Sequence, residues 1–344
     1  MSPPYHKPGL TLQAGGPGDT VAVKALQHDL RKLGYLRAGI DGIYGAGTTA
    51  AVKALQYDLL HNDGGGTDGS APVCLTTCNV KSGGGAAVTQ VDGVFDQGLA
   101  EVLEHLVGEA KIGLVPRAPD VKSANASAMA ALAAMSNTIA PPPFIAAMVV
   151  QESNGCHFHV PAPSDEDTYV TIGLDRNDHD HPERITSRGY GLGQFTFFHH
   201  PLSAADVESR VADPAGNVAS AFAELRDKFD HYVVGKGGAD DRTVEHPALP
   251  LRLCRYPASD PRYMRDCRTC AKAAGQRDIT RGTPVYVGAS LSYQPTQYYP
   301  SADYSGIPVR ADFLCDWPYA ARRYNGGGVN SYHYQARILR NLLR

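Results

Sequence analysis

Apolar residues along the first hundred positions recur at helical spacing, broken twice by the same kind of turn. In "TVAVKALQHDLRKLGYL", Val21, Val23, Leu26, Leu30 and Leu33 predict an amphipathic helix that Gly34 stops. An Asp- and Gly-rich turn, "IDGIYGAGT", follows. "TTAAVKALQYDLL" predicts a second helix, with Val52, Leu55, Leu59 and Leu60 as its stripe. Both helices contain the phrase "VKALQ-D-L", a short internal repeat. Residues 61–88 are Gly-rich, carry Cys74 and Cys78, and read as an exposed loop. "VDGVFDQGLAEVLEHLV" then repeats the Asp-Gly-x-aromatic turn and opens a third helix. Residues 109–126, with Pro116 and Pro119, read as a linker after a short tail (1–14) and a helical region (15–108). Beyond it "ASAMAALAAMSNTIA" predicts an Ala-rich helix, and "FIAAMVVQESNG", entered through Pro141 to Pro143, predicts another.

That last helix ends in a carboxylate. Glu152 precedes Asn154-Gly155, a helix-stopping pair, so it sits where the helix dipole is negative. Dipole and burial both favour the protonated acid, the bias a general acid needs near neutral pH. A solvated glutamate at a frayed helix end is the plain alternative. Two later stretches bear on the choice. "SRGYGLGQFTFF" (187–198) combines glycines that permit close approach with the Gln194 amide. "YAARRYNGGGVNSYHYQARILRNLL" sets Tyr324-Asn325 before three glycines and resumes a helix through Tyr334, Ile338 and Leu342. Neutral amides, phenols and glycine-lined backbone suit an extended polysaccharide, whose hydroxyl and acetamido groups need many uncharged hydrogen bonds.

Composition narrows the classes. In 344 residues, 43% hydrophobic and 19% charged, there is material for two domains with real cores. A net charge of -3 gives no reason to expect nucleic acid or an anionic membrane surface as partner. No apolar run approaches the ~18 residues of a membrane helix, and the start "MSPPYHKPGLTLQ" lacks the apolar core of a secretory signal. Seven cysteines leave at least one without an internal disulfide partner. Cys74 and Cys78 are close enough in sequence to bridge. Cys254, Cys267, Cys270 and Cys315 are compatible with two disulfides, a four-thiolate zinc site, or free thiols. Cys156 reads as a small buried hydrophobe.

The N-terminal pattern resembles the three-helix peptidoglycan-binding module of cell-wall enzymes. The matching elements are Leu26-Gln27, Leu33-Gly34-Tyr35, Asp41-Gly42, Tyr44-Gly45, Thr48, Ala51-Val52, Gln56 and Asp92-Gly93, over residues 15–108 with a departure at the 61–88 insert. The resemblance implies that Asp41, Tyr44 and Thr48 lie beside bound glycan-peptide. An Asp-Gly turn serving only backbone geometry is the alternative.

The remainder resembles the soluble lytic transglycosylases and goose-type lysozyme. Glu152-Ser153, Gly191-Leu192-Gly193-Gln194, Asp213-Pro214-Ala215-Gly216-Asn217-Val218 and Tyr324-Asn325-Gly326-Gly327 occur in the family's order, across about 127–344. The chain departs at Gly193, which replaces a methionine, and at Arg188 and Gly189. It also carries inserts at 156–187 and 236–315. The resemblance implies a mainly α architecture: the three-helix module plus an α-rich lysozyme-like domain with cysteine-containing inserts. It makes Glu152 the catalytic acid and Ser187, Gln194, Tyr324 and Asn325 substrate contacts.

It also implies cleavage of the β-1,4 bond between N-acetylmuramic acid and N-acetylglucosamine, with no cofactor required. A second carboxylate would make a hydrolase, and Asp175, Asp178, Asp180 and Glu183 are the candidates. Glu152 alone would make a lytic transglycosylase. Asp175, Asn177 and His179 stand at the one-three-five spacing of a calcium loop, without its glycine. A solvated polar loop is the favoured reading there. The expected partner is the glycan strand, met by a monomer acting in the periplasm or wall of a target bacterium after phage lysis or dedicated secretion. A secreted effector would also need an immunity protein. The competing functions are a non-catalytic wall-binding protein with a degenerate lysozyme fold and a chitinase-like hydrolase.

Overall fold

A computed structural model describes residues 2–37, 39–134, 140–234, 250–271, 310, 313–325 and 328–343. The fold is helix-rich with one small sheet, the mainly α architecture expected. The chain forms two compact units: Met1–Ala130 with Cys156–Asn217, and Ala131–Gly155 with Val218–Arg344.

In the first unit, α1 (Thr20–Lys32) starts where the Asp19 side chain accepts from the Ala22 amide at 3.0 Å. Val23, Leu26 and Leu30 are buried, but Val21 is 65% exposed. Two residues turn a helix by about 200°, so Val21 cannot share the face of Val23. In α2 (Ala46–His61), Val52, Leu55 and Leu59 are buried and Leu60 is half-buried. α4 (Gln97–Gly108), capped by Asp96, completes the module. The short α3 (Leu75–Cys78) lies inside the Gly-rich insert.

The repeated "ALQ" phrase has a structural reason. The Gln27 amide nitrogen donates to Asp41 Oδ1 (2.9 Å) and Thr48 Oγ1 (3.0 Å), and its oxygen accepts from the Gly42 amide (2.9 Å). Gln56 does the same one turn later, donating to Asp92 Oδ1 (2.8 Å) and accepting from the Gly93 amide (2.8 Å). Each glutamine thus clamps the Asp-Gly turn that follows its helix. Gly42 and Gly93 both take φ of +79°, and a Cβ on Gly42 would meet Thr20 Cγ2 at 2.5 Å.

Two expectations about this half change. The tail is packed: Tyr5 is buried and donates to Asp29 at 2.6 Å, and Leu12 pairs with Phe95. The stretch expected as a linker is also packed. Val115 and Ala118 are buried, Val115 donates to the Lys32 carbonyl, and α5 (Val121–Ala134) starts early because Asp120 caps it at the Ser123 amide. Apolar Ile112, Val115 and Ala118 outweigh the prolines here.

The first unit also holds the short α7 (Ala204–Asp206) and an antiparallel sheet, β1 (Ile172–Asp175), β2 (Ser187–Tyr190) and β3 (Phe195–Phe197), in that order. The compact units therefore cut the chain differently from the boundary at 126 drawn from sequence. Tyr169, Val170, Ile172, Tyr190, Phe197 and Val211 belong to one buried cluster with the module's Leu26, Leu55 and Leu103. Two buried ion pairs reinforce it, Arg31–Asp167 (3.0 Å) and Arg188–Asp58 (3.4 Å).

The second unit is built on α6 (Pro142–Ser153), most of α8 (Pro214–Lys228), α9 (Trp317–Tyr324) and α10 (Gly328–Leu343). Phe144, Ile145, Met148 and Val149 of α6 are buried, as are Phe222, Leu225, Ile338 and Leu339. Trp317 stacks on Phe229 at 4.4 Å. Asn341 ties α10 to α6 through the Ala147 carbonyl at 3.1 Å. Asp316, fully buried, is neutralised by Arg310 (2.9 Å) and Arg252 (2.8 Å).

Candidate functional site

In the second unit the features gather around Glu152. Pro142 opens α6 at a position where its missing N–H costs nothing. The helix stops because Asn154 turns left-handed (φ 54°) and donates to the Val150 carbonyl at 3.1 Å, followed by Gly155 (φ 76°). Glu152 is therefore fixed in the last turn, half-buried. The Tyr334 hydroxyl, from α10, donates to its carboxylate. Tyr324, at the end of α9, lies nearly parallel to Tyr334 with ring centroids 6.3 Å apart and planes 14° apart.

Burial first, and then Glu152, push the Tyr334 phenol well above its ordinary range, so it stays a hydroxyl and a donor. Tyr324 is raised by burial and by the charges of Glu224 and Glu152. Glu224 of α8 is itself raised by burial, opposed by Lys228 at 3.7 Å. Asn325 caps α9 and is exposed, while Gly326 and Gly327 lie outside the described residues.

In the first unit the glycine motif holds Gln194. This residue takes a positive φ of 49°, and its amide nitrogen donates to the Gly191 carbonyl at 2.8 Å. A Cβ on Gly173 would lie 2.6 Å from Gln194 Oε1, so the strand glycines leave room for that side chain. Asn217 pins the same turn. Its oxygen accepts from the Gly193 amide (2.9 Å) and its nitrogen donates to the Tyr190 and Arg210 carbonyls (both 2.8 Å). His157 packs beneath, fully buried, with Nε2 2.9 Å from the Val211 carbonyl. Burial pushes it down to about 4, so it is neutral at ordinary pH.

The acidic candidates are mostly engaged. Ser187 donates to Asp175 at 2.7 Å. Asp178 pairs with Arg184 (3.1 Å) and accepts from the Asp180 and His181 amides, and these contacts hold its carboxyl below the usual range. Asp180 is exposed, and Glu183 is half-buried with its carbonyl bound to Arg176. Asn177 donates its amide to Thr186, and His179 is exposed. Among the described residues no three His, Cys, Asp or Glu side chains converge as metal ligands would, which covers both the Asp175–His179 loop and Cys254, Cys267, Cys270 and Cys315. None of the seven cysteines is in a disulfide. Cys74 and Cys78 share one helical turn, and Cys156 is half-buried rather than buried. Cys270 hydrogen-bonds Cys315, which lowers the first thiol and raises the second. Most of the 236–315 insert lies outside the described residues.

In the module, Asp41 and Thr48 face Gln27 as described, and the Tyr44 hydroxyl donates to the Gly93 carbonyl at 2.8 Å. All three are tied into the module's own turns. Sequence reasoning passed over two residues. Tyr334 was legible only as an apolar helix position. Arg188, a departure from the glycine motif, is buried, donates to the Gly34 carbonyl at 3.0 Å and lies 5.2 Å over the Tyr35 ring. Its signal was the charge itself, in a run of glycines.

Residues 20–59 match the family described as putative peptidoglycan binding domain. The N-terminal helices thus carry a peptidoglycan-binding domain, which ties the protein to the cell wall. No curated protein and no solved structure matches the chain. No helix of the described residues is long and apolar enough to cross a membrane.

Proposed function

We propose that the protein is a peptidoglycan-cleaving glycosidase with Glu152 as its general acid. The observation that carries this reading is the Glu152–Tyr334 pair at a capped, left-handed helix end, in a chain that also bears a peptidoglycan-binding domain. Glu152 protonates the oxygen leaving between N-acetylmuramic acid and N-acetylglucosamine. The neutral phenol of Tyr334 fixes the carboxyl rotamer and supplies a donor that does not compete as an acid.

The engagement of Asp175 and Asp178, two of the four second-carboxylate candidates, supports the single-acid route. After protonating the leaving oxygen, Glu152 as a carboxylate takes the proton of the muramic acid 6-hydroxyl. That oxygen closes on the anomeric carbon and releases a 1,6-anhydro end. The hydrolytic route would instead have water attack the anomeric carbon and leave a reducing end. In either form the enzyme meets its substrate in the periplasm or wall.

The test is turbidity of purified cell walls followed by mass spectrometry of the released fragments. Wild type should clear the walls and Glu152→Gln should be slower by about 10²–10⁴-fold, with wall binding retained. Anhydro ends identify the transglycosylase and reducing ends the hydrolase. Walls left intact by wild type but still bound would return the protein to the wall-binding reading. Cleavage of chitin oligomers in preference to walls would make it chitinase-like.

A further inference from the structure

The second unit gathers Cys254, Cys267, Cys270 and Cys315, and hydrogen bonds between short segments bring them together. The Asp316 amide donates to the Arg252 carbonyl and the Arg252 amide to Asp316 Oδ2, both at 2.9 Å. Trp317 Nε1 adds a bond to the Leu253 carbonyl at 2.9 Å, so Cys254 and Cys315 flank one junction. Cys254 Sγ accepts from the Met264 amide at 3.3 Å, and the Tyr256 hydroxyl donates to Asp266 at 2.8 Å. Those bonds fold residues 254–266 back on themselves and carry Cys267 towards Cys254. The Cys270 amide donates to the Cys267 carbonyl at 3.0 Å, in the single turn Arg268–Ala271, and Arg268 holds that turn to the Leu343 carbonyl at the end of α10 (2.7 Å). Cys267, Cys270 and Cys315 are buried and Cys254 is half-buried.

Within the cluster, Cys270 and Cys315 share a hydrogen bond. The bond from Cys315 holds the Cys270 thiol below its ordinary range against the opposing effect of burial, and the same bond, with burial, raises Cys315 well above it. The pair is divided into a nucleophile and a proton donor, the division that thiol exchange uses. Burial, then the charges of Cys270 and Cys254, push Cys267 up, so it stays a thiol. Among the described residues the four sulfurs do not converge as metal ligands would. A bond between two of them is the chemistry this geometry offers. A thiol is a weak donor, whereas a covalent link between the same two sulfurs would close the chain over residues 271–314 and restrict its unfolded state.

We propose that Cys270 and Cys315 are an oxidative modification site, joined as a disulfide in the oxidising surroundings of the cell wall, while Cys254 and Cys267 remain thiols. The co-reactant is an organic disulfide, such as oxidised glutathione. The Cys270 thiolate attacks one of its sulfurs and expels the other half as a thiolate. Cys315 gives up its proton, attacks the Cys270 sulfur and expels the second half. Two protein thiols lose two electrons, and the incoming disulfide gains them and, with the two protons, leaves as two thiols. Both sulfurs are nearly closed to solvent in the fold, so the exchange belongs to folding, before the turn docks, and the finished bridge is shielded from reductants. It fastens residues 252–270 to the start of α9, whose far end carries Tyr324. The inference rests on the cell-wall association, since such compartments favour disulfides, and it is independent of whether Glu152 cleaves.

In the experiment the full chain is refolded from its reduced, unfolded state with oxidised glutathione. Remaining thiols are alkylated in urea, and tryptic peptides are weighed without reduction. Trypsin separates the four cysteines cleanly, into residues 253–255, 266–268, 269–272 and 311–322. Peptide 269–272 should appear linked to 311–322, with 253–255 and 266–268 alkylated. Reductant should then lower the thermal midpoint by about 5–15 °C. Cys270→Ser should abolish that response and Cys254→Ser should keep it. Linkage of 311–322 to 253–255 or 266–268, a bridge between 266–268 and 269–272, or alkylation of all four cysteines would each overturn the proposal. So would one zinc ion per chain, held by these cysteines and lost to a chelator. None of these outcomes touches the catalytic reading, which the wall-clearing assay decides.

Discussion

The glutamine clamps of the module and the Glu152–Tyr334 pair both join an uncharged donor to a carboxyl group, but over very different spans. Gln27 reaches Asp41 across 14 positions, and Gln56 reaches Asp92 across 36. Glu152 and Tyr334 are 182 positions apart. In the clamps, a side-chain amide satisfies one Asp-Gly turn from both directions, and the motif is used twice. In the pair, a carboxyl and a phenol from different helices meet at a helix end where a carboxylate is disfavoured. The difference separates scaffold from chemistry. Breaking a clamp should change how well the protein folds, whereas breaking the pair should change what the folded protein does.

Four tests probe that separation, the largest effect first. Arg188 acts as a long-range clamp, so Arg188→Ala leaves the Asp58 carboxyl buried without its cation. It should cost about 3–5 kcal/mol of stability, read from urea denaturation. A loss under 1 kcal/mol would show that the pair is not structural. Gln27→Ala and Gln56→Ala should each cost about 1–3 kcal/mol by orphaning a buried turn, with cleavage per folded molecule unchanged. If the denaturation midpoint stays put while cleavage drops, the clamps are not scaffold. Tyr334→Phe should do the reverse, lowering wall cleavage about tenfold with little change in melting temperature. Full activity in that variant would remove Tyr334 from the mechanism.

The fourth test is pH. His157 is held at about 4 and His200 well below its ordinary value, so both are neutral in the fold. The unfolded chain takes up their protons near pH 6.5, before the fold does. Stability should therefore fall as the pH drops below about 6.5, by up to about 1.4 kcal/mol per pH unit for each histidine. For His157 the loss levels off near pH 4. Urea midpoints at pH 7, 6 and 5 measure it, and His157→Gln should flatten part of the slope. Equal midpoints at pH 7 and 5 would contradict it.

The same contrast explains how much could be read from the sequence. The repeat was legible because Gln27 and Gln56 sit in the same phrase, "VKALQ-D-L", and the Asp-Gly-x-aromatic turn recurs, although the clamping itself was not, since the two spacings differ. The helix carrying Glu152 was legible with its end, because Asn154-Gly155 is a local stop signal. Tyr334 was not, since nothing in the spacing of a C-terminal helix says which turn faces α6. Arg188 and Asp58 were invisible as a pair, because their meeting depends on the strands sharing a core with the module. For the same reason Val115 and Ala118 looked like linker residues. A short apolar stretch between prolines is indistinguishable from a tether until its burial is known. The 20–59 match and the shared core thus answer different questions, one of descent and one of packing.

That shared core has a consequence for how wall attachment works. A module on a loose leash raises local concentration and lets its cargo roam. Here the module and residues 156–217 form one body, so whatever the strands present is held at a fixed offset from the glycan the module grips. Such an arrangement works as a ruler. It also makes the module inseparable: cutting the chain after residue 108 would strip cover from Tyr169, Val170, Tyr190 and Phe197 and leave a sticky remnant.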